Sequence, residues 1–235
     1  MRHLEGKVAL VTGGGKGIGR SIALALAAGG ARLIITGRDE RALGETVGEI
    51  AYGGGKARHL AGDVRDPAHL EAAVARAHEV FGSLDIVVAG AGQAGRVAVG
   101  HELARAESIL STNLMGAYGT FHAAIPRMAS PGRLIALSRA PAGAGGAGGS
   151  GGSGGCGAFA ASQAGLVALV REAAAEVASR KITCNALLVG GSDTLEPEEV
   201  AAVAVFLCSP AADHLTGQAL TIGGIPPHLT DVEEA

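Results

Sequence analysis

Short apolar runs alternate with longer stretches in which apolar residues recur at helical spacing. The first run, Lys7-Val8-Ala9-Leu10-Val11-Thr12, is long enough for one buried parallel strand. Further runs predict strands near 32–36, 57–62, 84–89, 132–138, 181–188 and 218–222. Helices are predicted near 17–29, 39–51, 67–81, 102–128, 158–179 and 197–208. Asp66-Pro67 and Glu196-Pro197 read as helix starts, because proline suits the first helical turn, where its missing N–H is not needed. Strand–helix alternation implies one α/β domain over 1–235, with any ligand at the carboxyl ends of its strands.

The segment after the first strand carries candidate chemistry. Thr12-Gly13-Gly14-Gly15-Lys16-Gly17-Ile18-Gly19 follows at once, and Ile22, Leu24 and Leu26 then mark an apolar helix ending near Gly29-Gly30. Glycines let the backbone turn tightly and approach a pyrophosphate, while the helix N-terminus offers free N–H groups and a partial positive charge. Strand, glycine turn and helix in that order predict a dinucleotide site in a Rossmann-type, doubly wound parallel sheet of about seven strands with helices on both faces. The second strand ends Ile34-Ile35-Thr36-Gly37-Arg38, with no acidic side chain at Gly37 to hold ribose hydroxyls. The Arg38 guanidinium suits a 2′-phosphate, and Lys16 adds a second cation, so NADP is favoured over NAD if a cofactor binds.

Composition narrows the reading without redirecting it. The 235 residues, 48% hydrophobic with a net charge of −3, describe an ordinary soluble domain. No basic patch suggests nucleic acid, no apolar run reaches membrane-span length and no signal-peptide pattern opens the chain, so a cytoplasmic protein is expected. Cys156, Cys184 and Cys208 are odd in number and lack metal spacing, so they read as reduced thiols, with Cys184 and Cys208 in the core. His59, His69, His78, His101 and His122 fit helix or loop surfaces better than a metal-ligand set.

The spacing Thr-Gly-x-x-x-Gly-x-Gly resembles the short-chain dehydrogenase/reductase family, particularly its 3-oxoacyl-acyl-carrier-protein-reductase-like members. The likeness runs from about Gly6 to about Gly224. It makes Asp63-Val64 the pair beside the adenine, Asn113 in Ser111-Thr112-Asn113-Leu114 the helix-bending asparagine, and Gly190 and Thr194 the contacts on the nicotinamide side. Ala89-Gly90 stands where the family has asparagines, which implies lost hydrogen bonds between the central strands.

The same resemblance implies chemistry that the residues no longer supply. The family's catalytic tyrosine falls on Phe159 and its lysine on Gln163. Phe cannot act as acid or base, and uncharged Gln cannot lower a neighbour's pKa. Counted from Gly132, the catalytic serine falls on Arg139, and Ser138 lies one residue early, an offset that turns a strand side chain to the opposite face. Asn113 alone is retained. Leu195 leads almost directly to Pro197, leaving no room for the family's substrate lid. In exchange, residues 142–157 are glycine-rich, ten of the fifteen from 143 to 157, which predicts a flexible loop within the one fold.

A non-catalytic subunit is therefore expected, supporting an active homologue as part of a homo- or hetero-oligomer through the helices near 102–128 and 158–179. Ala117, Gly116, Ala160, Ala161, Ala164 and Gly165 would permit close helix packing there, or within the monomer. NADP(H) binding is expected to be weak or absent, because Arg38, Lys16 and the glycine turn serve the ADP half while Phe159, Gln163 and Ala89 weaken the nicotinamide half. The alternatives are an active NADP-dependent carbonyl reductase or alcohol dehydrogenase with relocated groups (Ser138, Ser162 or a water near Asn113), an NADP-sensing binding protein, and a family member with no present function.

Overall fold

A computed structural model describes residues 3–93, 95, 97, 99–139, 157–190 and 195–223, with Arg139 described in its backbone only. Seven strands, β1 (Val8–Thr12), β2 (Arg32–Gly37), β3 (Lys56–Ala61), β4 (Ile86–Ala89), β5 (Gly132–Arg139), β6 (Ile182–Val189) and β7 (Ala219–Ile222), form one sheet in the order β3-β2-β1-β4-β5-β6-β7. Every pairing is parallel. The order reverses between β1 and β4, and a crevice opens at their carboxyl ends.

Alternation along each strand builds two cores. Ala9 and Val11 of β1 face a cluster with Ile22 and Leu26 of α1 (Gly17–Ala28), Leu43 of α2 (Glu40–Tyr52), and Val200, Ala204 and Leu207 further along the chain. Val8 and Leu10 face the other side, with Ala73 and Val74 of α3 (Pro67–Phe81), Phe121, and Leu166 and Val170. A strand side-chain period of two feeds both layers, which is why these strands read as unbroken apolar runs rather than alternating ones.

Helix starts follow the sequence signals. The Asp66 carboxylate accepts from the Ala68 N–H ahead of α3, with Pro67 in the first turn. Glu196 and Glu199 form a reciprocal capping box at α7 (Pro197–Cys208). The helix predicted over 102–128 is not continuous. It runs as α4 (Leu103–Leu110), a π-helical turn at Ser111–Met115, α5 (Gly116–Ala124) and a 3-10 turn at Ile125–Arg127. Asn113 lies in the π turn, consistent with its expected bending role. Helix α6 spans Gly157–Val177.

Cys184 and Cys208 are buried, and burial pushes both thiols up to about 12. Cys156, Thr194, the Arg139 side chain and all of the predicted glycine-rich loop except Gly157 lie outside the described residues. Gly157 itself is the first residue of α6. No helix among the described residues is long and apolar enough to cross a membrane, and none of their His, Cys, Asp and Glu groups could hold a metal ion.

Candidate functional site

The first βα turn is assembled from backbone. The Gly13 N–H and the Gly14 N–H both donate to the Thr36 carbonyl, at 2.8 and 3.2 Å, folding the turn back against β2. Gly13 has φ +74°, and a Cβ there would lie 2.7 Å from the Gly90 oxygen. A Cβ on Gly19 would lie 2.3 Å from the Gly13 oxygen. Both positions therefore require glycine, the first for conformation and space, the second for space alone. Lys16 is the N-cap of α1 and makes no side-chain capping bond, so the positive end of that helix meets the crevice without a protein acceptor at its cap.

A cleft of about 910 Å³ lies over this turn. Gly13, Gly15, Lys16, Ile18 and Gly19 line its floor, Arg38, Asp63 and Val64 one end, and Gly90, Asn113, Ser138 and Phe159 the other. The structure thus brings together twelve residues singled out in the sequence, from seven separate segments. Thr12, Gly17, Ala89, Gln163 and Gly190 do not line it. Thr12 and Ala89 are register partners below the turn, Gln163 is half-buried on α6, and the Gly190 N–H donates to the Ile222 carbonyl at 2.8 Å, joining β6 to β7.

Three expectations are corrected. The central strands keep a hydrogen-bonded tie despite Ala89-Gly90: the Thr12 hydroxyl accepts from the N–H groups of Gly90 and Ala91, at 3.1 and 3.3 Å. Ser138, expected to turn its side chain to the opposite face, is among the residues that border the cleft, together with its neighbour Leu137 near the end of β5. His69 is no plain surface residue; it is half-buried and its Nε2 shares a 2.5 Å hydrogen bond with Thr36 Oγ1. Burial holds the His69 imidazole below its usual range, against the opposing pull of Asp66 and Asp63.

Asp63 and Lys16 are already engaged by neighbouring charges. Asp63 accepts from the Arg65 N–H at 2.9 Å and from its guanidinium at 2.6–3.0 Å. That guanidinium holds the Asp63 carboxyl down at about 2. Lys16 is not a free second cation: its Nζ lies 2.5 Å from Asp39 Oδ2. Sequence reasoning missed Asp39 and Glu40, which also line the cleft. The available signal was adjacency, since β1 and β2 are neighbours and their following turns lie side by side.

At the other end the side chains are less reactive. Phe159 is buried against Val97 and Ile109. The Asn113 Oδ1 accepts from the Gln93 N–H at 2.8 Å and its Nδ2 donates to the Gln93 carbonyl at 3.1 Å, so the amide is spent on holding the loop after β4. The glycine turn and the helix end fit a pyrophosphate, and Asp63 and Val64 fit an adenine edge. Nothing among the described lining residues places a proton donor of tyrosine or lysine type beside Phe159.

Comparison with known proteins agrees with this architecture. A family profile described as short chain dehydrogenase matches residues 7–202. The 3-oxoacyl-acyl-carrier-protein reductase of Vibrio harveyi is 31% identical over 255 aligned residues, covering 94% of this chain and 98% of that protein. An L-rhamnose 1-dehydrogenase (NAD(P)(+)) of Azotobacter vinelandii is 33% identical, covering 93% and 95%. Among solved structures, a short chain dehydrogenase from Burkholderia cenocepacia in complex with NADP superposes with a TM-score of 0.85 at 28% identity, covering 94% of this chain and 98% of that one.

Proposed function

This chain belongs to the short-chain dehydrogenase/reductase family, and we propose that within it the chain is a non-catalytic subunit that supports an active homologue. The observation that carries the reading is Phe159. Phe159, which the resemblance sets at the family's tyrosine position, borders the cleft and is 4% exposed, packed with Val97 and Ile109. An apolar cluster there has no use for a hydroxyl, and a buried phenyl ring can neither give nor take a proton. Gln163 supplies no charge on the same helix. Residues 190–196 alone join β6 to α7, which supports the absence of a substrate lid.

A nicotinamide dinucleotide would be held by its ADP half. The N–H groups around Gly15 and Gly19 and the end of α1 would take the pyrophosphate, Asp63 and Val64 the adenine, and Arg38 the ribose edge. Such a cofactor supplies hydride chemistry in the family; in this chain the residues described bind and orient without moving a proton. We expect weak affinity, because the nicotinamide end lacks the lysine that holds its ribose.

The partner surface we propose lies on α5 and α6. Gly116, Ala117 and Gly165 pack inside the subunit, with a Cβ on Gly116 only 2.7 Å from Val64 and one on Gly165 only 2.8 Å from Leu114. Ala160, Ala161 and Ala164 are exposed instead, as are Met115 and Tyr118. Small residues beside exposed large apolar ones suit close helix packing against a homologous subunit.

The test is turnover. The purified chain, free of homologues, is assayed with NADPH and 3-oxoacyl and other carbonyl substrates, and its NADPH affinity is measured by calorimetry. No reduction is expected; reduction at ordinary enzyme rates would refute the reading. One observation favours a second reading, an active reductase with relocated groups: Ser138 borders the cleft on the Phe159 side. Under that reading Ser138→Ala abolishes whatever activity is found, and an unaffected variant rules Ser138 out.

A further inference from the structure

We infer, resting on the nucleotide reading of the cleft, that His69 is a proton-sensitive positioning residue: its neutral imidazole holds the end of β2 and the wall after β3 in place together, and a proton on the ring releases them.

His69 sits in the first turn of α3, which begins where the chain leaves β3 beside β2. Its Nε2 shares the 2.5 Å hydrogen bond with Thr36 Oγ1. Thr36 is fully buried, and its carbonyl is the one that gathers the Gly13 and Gly14 N–H groups. The ring also lies against Gly62: a Cβ there would fall 2.1 Å from His69 Nδ1 and 2.4 Å from Cε1. Gly62, Asp63 and Val64 line the cleft, and the Gly62 N–H donates to the Gly37 carbonyl at 2.9 Å. One imidazole therefore braces two segments of the cleft, and it fits because residue 62 has no side chain.

The groups around the ring set the sign of its response. Asp66, in the turn before α3, and Asp63, after β3, face it. Asp63 is paired with Arg65 and lies in the field of Arg38. β2 presents the uncharged Thr36. β3 carries Arg58 on the same face as Leu60, the register partner of Thr36, and that guanidinium donates to the Ala57 carbonyl at 2.9 Å. Burial disfavours the imidazolium more than the two carboxylates favour it, so the docked ring is held below its usual range. The positive end of α3 acts in the same direction. A ring freed into solvent beside Asp63 and Asp66 escapes both penalties and takes its proton more readily. Docking is therefore favoured above the ordinary imidazole value of about 6.5 and is lost as pH falls below it.

ADP-ribose has no group that titrates near neutral pH, so its binding reports protons on the protein. It is titrated by calorimetry between about pH 8 and about pH 5.5 into wild type, His69→Gln and Gly62→Ala, with thermal unfolding of each as the check on folding. Wild-type affinity is expected to fall about three- to tenfold toward pH 5.5, because each unit below the released value is worth up to about tenfold. His69→Gln keeps a hydrogen-bonding amide for Thr36 but has no proton to gain, so its affinity should vary by less than about twofold over the same range. Gly62→Ala displaces the ring and should bind at about pH 8 as weakly as wild type does at about pH 5.5. A flat wild-type profile, a slope that survives in His69→Gln, or a Gly62→Ala protein that binds like wild type overturns the inference and leaves the nucleotide reading standing. Failure of ADP-ribose to bind wild type even at about pH 8 overturns the nucleotide reading and the inference with it.

Discussion

Gly13→Ala tests the turn on which every reading of the cleft depends. The substituted residue keeps φ near +74°, and its Cβ falls 2.7 Å from the Gly90 oxygen and 2.9 Å from the Ala91 N and Cα. All three neighbours are backbone, so no flexible side chain can swing aside. A left-handed conformation costs an alanine about 1–2 kcal/mol, and forced overpacking adds about 1–3 kcal/mol. The expected loss is about 2–5 kcal/mol in urea unfolding, or about 4–20 °C in Tm for a chain of this size. Gly48→Ala is the internal control. Gly48 lies in the interior of α2 with nothing within 4 Å of the added Cβ, and its φ is not positive. There the substitution should stabilise by about 0.5–1 kcal/mol through helix propensity. A Gly13→Ala protein as stable as wild type, or a Gly48→Ala protein as damaged as Gly13→Ala, would refute the account of the turn.

Other outcomes follow from the same contacts. Thr12→Val keeps shape but removes the acceptor for the Gly90 and Ala91 N–H groups; a loss of about 1–3 kcal/mol is expected in chemical denaturation. Asp63 has its carboxyl held at about 2 in the fold, below its unfolded value of about 4. A depressed folded value means its stabilisation is present above pH 4 and is lost as pH falls toward 2, so the wild type should lose urea stability over that window faster than Asp63→Asn. Cys184 and Cys208, with thiols pushed to about 12, should resist alkylation at pH 8 in the native protein and react on unfolding, as peptide mass mapping would record.

Much of this architecture was legible because it rests on local rules. Apolar runs gave the strands to within a residue or two, Asp66-Pro67 and Glu196-Pro197 gave helix starts, and the glycine turn gave the crevice. What escaped is long-range. The tie from Thr12 to Gly90 and Ala91 depends on β1 pairing with β4, and the Lys16–Asp39 pair on β1 pairing with β2. Neither spacing is periodic, so no window along the chain contains it. The place of Ser138 at the cleft edge depends on where β5 ends against the crevice, which no spacing in the sequence states. Asn113 was found as a bend, but its two bonds to the Gln93 backbone needed the loop after β4 in place.

The two ends of the cleft differ in what they are made of, and under the proposed reading that difference accounts for a loss of chemistry without loss of the fold. The end over the first βα turn is backbone: glycines in fixed conformations, a helix terminus and the Thr36 carbonyl that gathers two N–H groups. Replacing those elements would disturb the first βα unit itself, so they persist wherever the fold persists. The Phe159 end depends on side chains that the fold does not require. A tyrosine hydroxyl among Val97 and Ile109 would need a buried partner, whereas the Phe159 ring needs none, and burying it contributes about 1.5–3 kcal/mol. Exchange of acid for apolar bulk at that position is therefore favoured by stability once catalysis is no longer selected. Under the proposed non-catalytic reading, a subunit that keeps its scaffold and its glycine turn while filling that corner with hydrophobic packing is the expected end of that process.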